Sequence, residues 1–120
     1  DFDEAIRLAD RIAIMQDGEI IQVGSPEELV TKPATAYVRE FTRDVQRAKV
    51  ISAHSLMMPA AASANNYAGR VAAGAKIASF AAEIIAAGRS FAVVDQAGAI
   101  VGEVAPEKVI NLLAGRDMAR

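Results

Sequence analysis

The single histidine, His54, has no cysteine anywhere in the chain to join it and no carboxylates at ligand spacing, so it cannot assemble a metal site. It reads as a structural or exposed residue. Ser79 and Ser90 lack a base placed to activate them. Glu103 and Glu107 have the chemistry of a general acid–base pair, but two carboxylates beside a turn are ordinarily solvated. Phosphoryl transfer needs a G-x-x-x-x-G-K-[ST] loop and an acidic strand end. The 8 glycines are scattered, and none precedes a Lys-Ser or Lys-Thr pair. No catalytic residue and no metal ligand is therefore assigned, and the chain is not expected to be an enzyme by itself.

The cations Arg39, Arg43, Arg47 and Lys49 form a series that could meet anionic lipid and fade with salt. Glu40 and Asp44 sit among them, which favours pairing along a solvated helix. Across all 120 residues, 13 basic and 15 acidic side chains leave a net charge of −2, a balance that offers no field for nucleic acid. The absence of cysteine rules out a disulfide framework and suits the cytosol. No apolar run approaches the ~20 residues of a membrane span. The acidic start Asp1-Phe2-Asp3-Glu4 is the opposite of a signal peptide, and it opens inside a helical pattern, as an excised piece would.

The elements that would carry these residues follow from periodicity. Asp3 to Ala9 reads as amphipathic helix, with Ile6 and Ala9 on one face. Arg11–Gln16 and Glu19–Val23 read as strands of a hairpin turned at Asp17-Gly18, a pair that tolerates positive φ. Ser25, Pro26 and Glu28 spell a capping box with proline at the first helical position, starting a helix that ends near Thr31. A second helix is expected from about Thr35 to Gln46, with Tyr37, Val38 and Phe41 along one side. Charge then thins near Lys49 to Ala53, and a unit boundary is placed near residue 48. Met57-Met58 and the Ala60–Ala64 run could be a dimer contact or buried linker packing, and Ser63–Gly69 reads as a loop. Ile77 to Ala87 is expected as a helix closed by Gly88. Ser90–Val94 should be a doubly buried strand, followed by a turn at 95–98, a strand over Ala99–Val104 and a helix from Pro106 to Gly115.

In its first half the chain resembles the region after the switch histidine of ABC-transporter ATPases. The carriers are Asp3-Glu4-Ala5, Leu8-Ala9-Asp10-Arg11-Ile12, Met15, Gly18, Ile20, Gln22, Gly24, Pro26, Glu28-Leu29, Pro33 and Tyr37-Val38-Arg39-Glu40-Phe41. Within that superfamily it looks closest to the ATPases of glycine betaine/proline (quaternary amine) importers. The second half is similar to one CBS motif, through Val71, the 77–87 helix, Phe91-Ala92-Val93-Val94-Asp95, Gly98, Ile100-Val101-Gly102 and the Val109–Leu113 helix.

The resemblance implies an α/β (α+β) fold in two parts. Residues 1–47 would be a hairpin-plus-helices remnant of a nucleotide-binding domain, and 48–120 a single CBS-like helix-strand-strand-helix unit. It implies a regulatory segment of the ATP-binding subunit of an osmolyte importer, sensing ionic strength or a nucleotide. The phosphate loop, LSGGQ-like signature and acidic strand of the family are not in this sequence, so ATP and Mg would act elsewhere in the intact protein. Nucleotide-binding CBS members carry a Ser or Thr three residues after the strand glycine and a ribose-binding Asp three further on. Counted from Gly102, those places hold Ala105 and Lys108, and neither can make the expected hydrogen bond. An adenosine nucleotide would have its rim at Ala92, Val94, Asp95, Gly102, Ala105 and Lys108; otherwise the unit is a packing module. One CBS motif ordinarily needs another, so a homodimer through the CBS-like units is expected. The permease is the other implied partner, which would hold the intact protein at the cytoplasmic face of the inner membrane. The rivals are a nucleotide-binding CBS sensor of another system and a purely structural dimerisation tail.

Overall fold

The computed structural model describes residue 6, residues 8–61 and residues 66–115. The chain divides into two compact units, residues 1–50 and residues 51–120. The helix expected from Asp3 lies largely outside the described residues; of its face, Ile6 is buried and Ala9 half-buried.

In the first unit, β1 (Ile12–Gln16) and β2 (Glu19–Gly24) pair antiparallel. Asp17 and Gly18 take φ of 53° and 81°, the positive pair that a two-residue hairpin requires. A bulge opposite Ile14 and Met15 leaves Ile21 without a cross-strand partner of its own. Helix α1 (Pro26–Thr31) begins on the expected capping box, and Leu29 and Val30 are buried from it. Helix α2 (Ala36–Phe41) starts at Thr35, whose hydroxyl accepts from Val38 N–H at 3.2 Å. Ile14, Leu29 and Val38 make one apolar cluster, with Ile12 and Ile21 packed against it.

Two expectations fail here. The second helix stops at Phe41, short of Gln46, because the chain tightens into i→i+3 turns. Arg43 N–H bonds Glu40 O, Val45 N–H bonds Thr42 O, and a 3-10 turn follows at Arg47–Lys49. The buried Thr42 hydroxyl also bonds Val38 O at 2.9 Å, a back-bond that weakens helix continuation. Tyr37 and Phe41 do not share the burial of Val38. They lie exposed, one helical turn apart, with their rings stacked at 6.0 Å.

The second unit is built on a three-stranded sheet of order β3-β4-β5. Its members are β3 (Gly69–Ala72), β4 (Phe91–Val94) and β5 (Ile100–Val104). β3 is parallel to β4, and β4 antiparallel to β5. A short helix α3 (Ala53–Leu56) precedes them; α4 (Ala81–Ala87) joins β3 to β4, and α5 (Pro106–Leu113) follows β5. Ile77–Ser79 forms a 3-10 turn rather than the first turn of α4, so the expected 77–87 helix is split. Gly69 opens a strand instead of closing a loop, and Ser63 to Asn65 of that loop lie outside the described residues.

Residues 91, 92 and 93 of β4 are all buried, as a strand covered on both faces must be. Ile77, Phe80 and Ile84 turn into the same core with Val104, Val109 and Leu112. The Phe80 and Phe91 rings pack at 6.0 Å. Beyond β5, Met58 continues the sheet by one isolated antiparallel bridge to Glu103, exchanging two backbone hydrogen bonds of 2.9 Å.

Candidate functional site: the turn and rim around β4 and β5

The rim expected for a nucleotide falls on β4, β5 and the entry to α5. Ala92 is fully buried in β4 and pairs with Glu103, while Val94 is half-buried at the strand's end and pairs with Ile100. Asp95 spends its carboxylate on the turn: Oδ1 accepts from Ala97 N–H and from Ala99 N–H, both at 2.9 Å. That is an Asx turn, made because a short acceptor side chain can bond its own backbone a few residues on.

Gly102 is buried and closely approached. A methyl group there would meet Met57 Sδ and would stand 2.9 Å from Met58 O. Ala105 is the N-cap of α5 but has no oxygen to offer the helix N–H groups. Lys108, on the first turn of α5, is half-buried. Strand pairing and the β5–α5 junction therefore bring these six residues to one sheet and its exit, and they supply few polar groups toward a ligand.

The polar centre of the region is Glu103, which the sequence offered only as a solvated carboxylate. Its Oε1 accepts from Tyr67 Oη at 2.7 Å and from Ala61 N–H at 3.2 Å. The hydrogen bond to Glu103, with some burial, pushes the Tyr67 phenol above its ordinary value. Nothing in the local pattern flagged this pairing, because its partners are 36 and 42 residues away along the chain.

The remaining candidates fall elsewhere. His54 is exposed on α3, and no group of three metal-ligating side chains occurs among the described residues. Ser79 donates to Lys76 O at 2.7 Å, bridging the 3-10 turn. Ser90 is half-buried, and its carbonyl accepts from Ala68 N–H. Glu107 is exposed. In the basic series, Arg43 pairs with Glu40 at 3.1 Å and with Asp44 at 3.9 Å, the charge pairing expected there, but Arg43 and Asp44 lie in the turns past the end of α2 rather than on a helix. Met57 and Met58 pack within the second unit, on Gly102 and Glu103. No described helix is long and apolar enough to cross a membrane.

No family model matches the chain. Its homologues are ATP-binding proteins of ABC transporters. More particularly, it is 43% identical over 118 residues to the trimethylamine N-oxide transport system ATP-binding protein TmoW of Pelagibacter ubique, covering 98% of this chain and 34% of that protein. The Ruegeria pomeroyi TmoW is 36% identical, over 94% of this chain and 32% of that protein. The Escherichia coli glycine betaine/proline betaine ATP-binding protein ProV is 54% identical over 56 residues, 47% of this chain and 14% of that protein. The chain thus spans about a third of the length of the first two curated relatives. Among solved structures, the CBS domain of a bacterial CNNM/CorC family Mg2+ transporter in complex with ATP is similar at a TM-score of 0.35 and 16% identity, covering 90% of this chain and 66% of that one.

Proposed function

We propose that the chain is a regulatory C-terminal segment of the ATP-binding subunit of an ABC importer for a small osmolyte of the glycine betaine and proline class. Residues 1–47 end the nucleotide-binding domain, and residues 48–120 form a CBS-like unit that senses ionic strength or a nucleotide. One observation carries this best: homology to a transporter ATP-binding protein runs through 98% of the chain, across both units rather than the first alone. That continuity supports reading the second unit as part of such a subunit. Hydrolysis of ATP, with Mg, falls to the rest of the intact protein, which works on a membrane permease at the cytoplasmic face.

Pairing of two CBS-like units is supported by apolar side chains left in water on adjoining helices. Ile85 of α4 and Ile110 and Leu113 of α5 are 39%, 42% and 53% exposed. Burying them against a second copy recovers about 25 cal/mol for each Å² of apolar surface. For an adenosine nucleotide the rim is Ala92, Val94, Asp95, Gly102, Ala105 and Lys108, with Lys108 meeting a phosphate as a point charge. Asp95 already serves its turn and Ala105 lacks a hydroxyl, which favours ionic strength as the input.

The test is uptake of glycine betaine, proline and trimethylamine N-oxide by the reconstituted full transporter, with and without residues 48–120, over a salt series. Loss of salt dependence with ATP hydrolysis retained is the expected result. An unchanged salt response, with only assembly impaired, would make the segment a structural tail. Calorimetry with ATP, AMP and cyclic dinucleotides separates a nucleotide sensor: tight binding with one stoichiometry per dimer would displace the ionic-strength reading.

A further inference from the structure

Residues 102 and 103 hold a stretch of chain that lies along the free edge of β5. The Glu103 backbone exchanges both of its hydrogen bonds with Met58, and Gly102 gives Met57 room to lie against the strand. The Glu103 side chain then reaches past this bridge, and one oxygen receives both Ala61 N–H and the Tyr67 hydroxyl. The backbone bridge is a single residue pair, whereas β4 and β5 share a register of four pairs. A lone bridge has no neighbouring rung to stabilise it cooperatively, so the side-chain contacts decide whether it persists. Hydrogen bonds to an ionised acceptor are about twice as strong as neutral ones.

We propose that Glu103 is the clasp of a strap formed by residues 57–61: one carboxylate oxygen, shared by Ala61 and Tyr67, keeps the strap shut along β5, and its loss frees the strap while the sheet behind it stays folded. This goes beyond the transporter reading and does not depend on it. Opening leaves the Glu103 N–H and C=O unpaired on a sheet edge, a surface on which another strand can add. The strap is thus a locally opening element whose stability lies below that of the core it covers.

Amide hydrogen exchange on the whole chain tests the clasp. Glu103→Ala, which removes two hydrogen bonds to a charged group, is expected to speed exchange at Met58 by about tenfold or more, with Phe91 to Val94 unchanged. Tyr67→Phe removes one arm and gives a smaller increase at the same amide; Glu103→Gln keeps an acceptor oxygen and falls between wild type and Glu103→Ala. Wild-type exchange at Met58 in Glu103→Ala overturns the proposal. So does acceleration spread equally over Phe91 to Val94, which would make Glu103 a general fold residue. Should Glu103→Ala not fold, Tyr67→Phe decides alone, and an unchanged Met58 rate in it is fatal.

Discussion

Tyr67 and Glu103 stand 36 residues apart in sequence, and a 2.7 Å hydrogen bond joins the phenol to the carboxylate. The bond exists only while the phenol keeps its proton, so it makes part of the second unit's stability alkali-sensitive. The folded value of Tyr67 is raised, chiefly by Glu103. Its contribution is therefore complete below the ordinary tyrosine value of about 10 and lost as pH rises through the folded one. In a Tyr37→Phe background, where Tyr67 is the remaining tyrosine, tyrosinate absorbance should appear late. Adding Glu103→Gln should move it back toward the ordinary range, and an unmoved titration would show that Glu103 is not the cause.

The capping box of α1 titrates in the opposite sense. Ser25 N–H donates to Glu28 Oε1 at 2.8 Å, and this bond foremost holds the Glu28 carboxyl below its ordinary value. The stabilisation is present above the unfolded carboxylate range and lost as pH falls through the depressed folded value. Urea melts of wild type and Glu28→Gln should accordingly differ at neutral pH and converge in acid. Ser25→Ala, which removes the other half of the box, should cost about 1 kcal/mol.

Gly102→Ala should destabilise the second unit by about 1–3 kcal/mol, read as a lower urea midpoint. The added methyl meets a flexible thioether and a backbone carbonyl at 2.9 Å. Met57→Ala can relieve only the first of these clashes. The double variant should therefore stay below Met57→Ala alone, and equality of the two would mean that the strap moves aside freely.

Ala105→Ser should stabilise. The residue caps α5 in an extended conformation with no side-chain bond to the helix, and a hydroxyl there gains roughly 0.5–2 kcal/mol. A thermal melt unchanged or lowered would show that the rim at this position has no room for an oxygen.

Neighbouring residues of α4 separate packing from pairing. Ile84 is fully buried, and Ile84→Ala should cost about 2–5 kcal/mol. Ile85 is 39% exposed, and Ile85→Ala should leave the melt within about 0.5 kcal/mol while lowering the dimer fraction in sedimentation. A dimer fraction insensitive to Ile85, Ile110 and Leu113 would remove this face from the interface.

Local chemistry made much of the fold legible before any coordinates. Asp17-Gly18, the Ser25–Glu28 box, Gly88 and the doubly apolar Phe91–Val93 each act through neighbours a few positions away, and each does what its type and spacing dictate. Where sequence reading failed, a longer-range bond decided. The Gly69–Ala72 strand is too short to show alternation, and it is defined by its pairing with Phe91–Val94. The Met58 bridge and the Tyr67–Glu103 bond close across the unit. The end of α2 is a local exception: the chain tightens into i→i+3 turns beside the Thr42 back-bond, although the apolar periodicity runs on. At the site, the six expected rim residues lie where strand pairing put them, but the carboxylate that organises the region was passed over because one residue's spacing says nothing of partners so distant.

The parallel register of β3 on β4 also has a consequence for timing. The β1–β2 ribbon closes through the two residues Asp17 and Gly18, a search the chain completes in roughly 1–10 μs. Gly69 can meet Phe91 only after the whole crossover, α4 included, has been gathered in. Non-local closure of that kind slows collapse to the native state. The second unit should therefore be the later of the two to form after dilution from denaturant, with the apolar Phe91–Val94 segment uncovered during the interval.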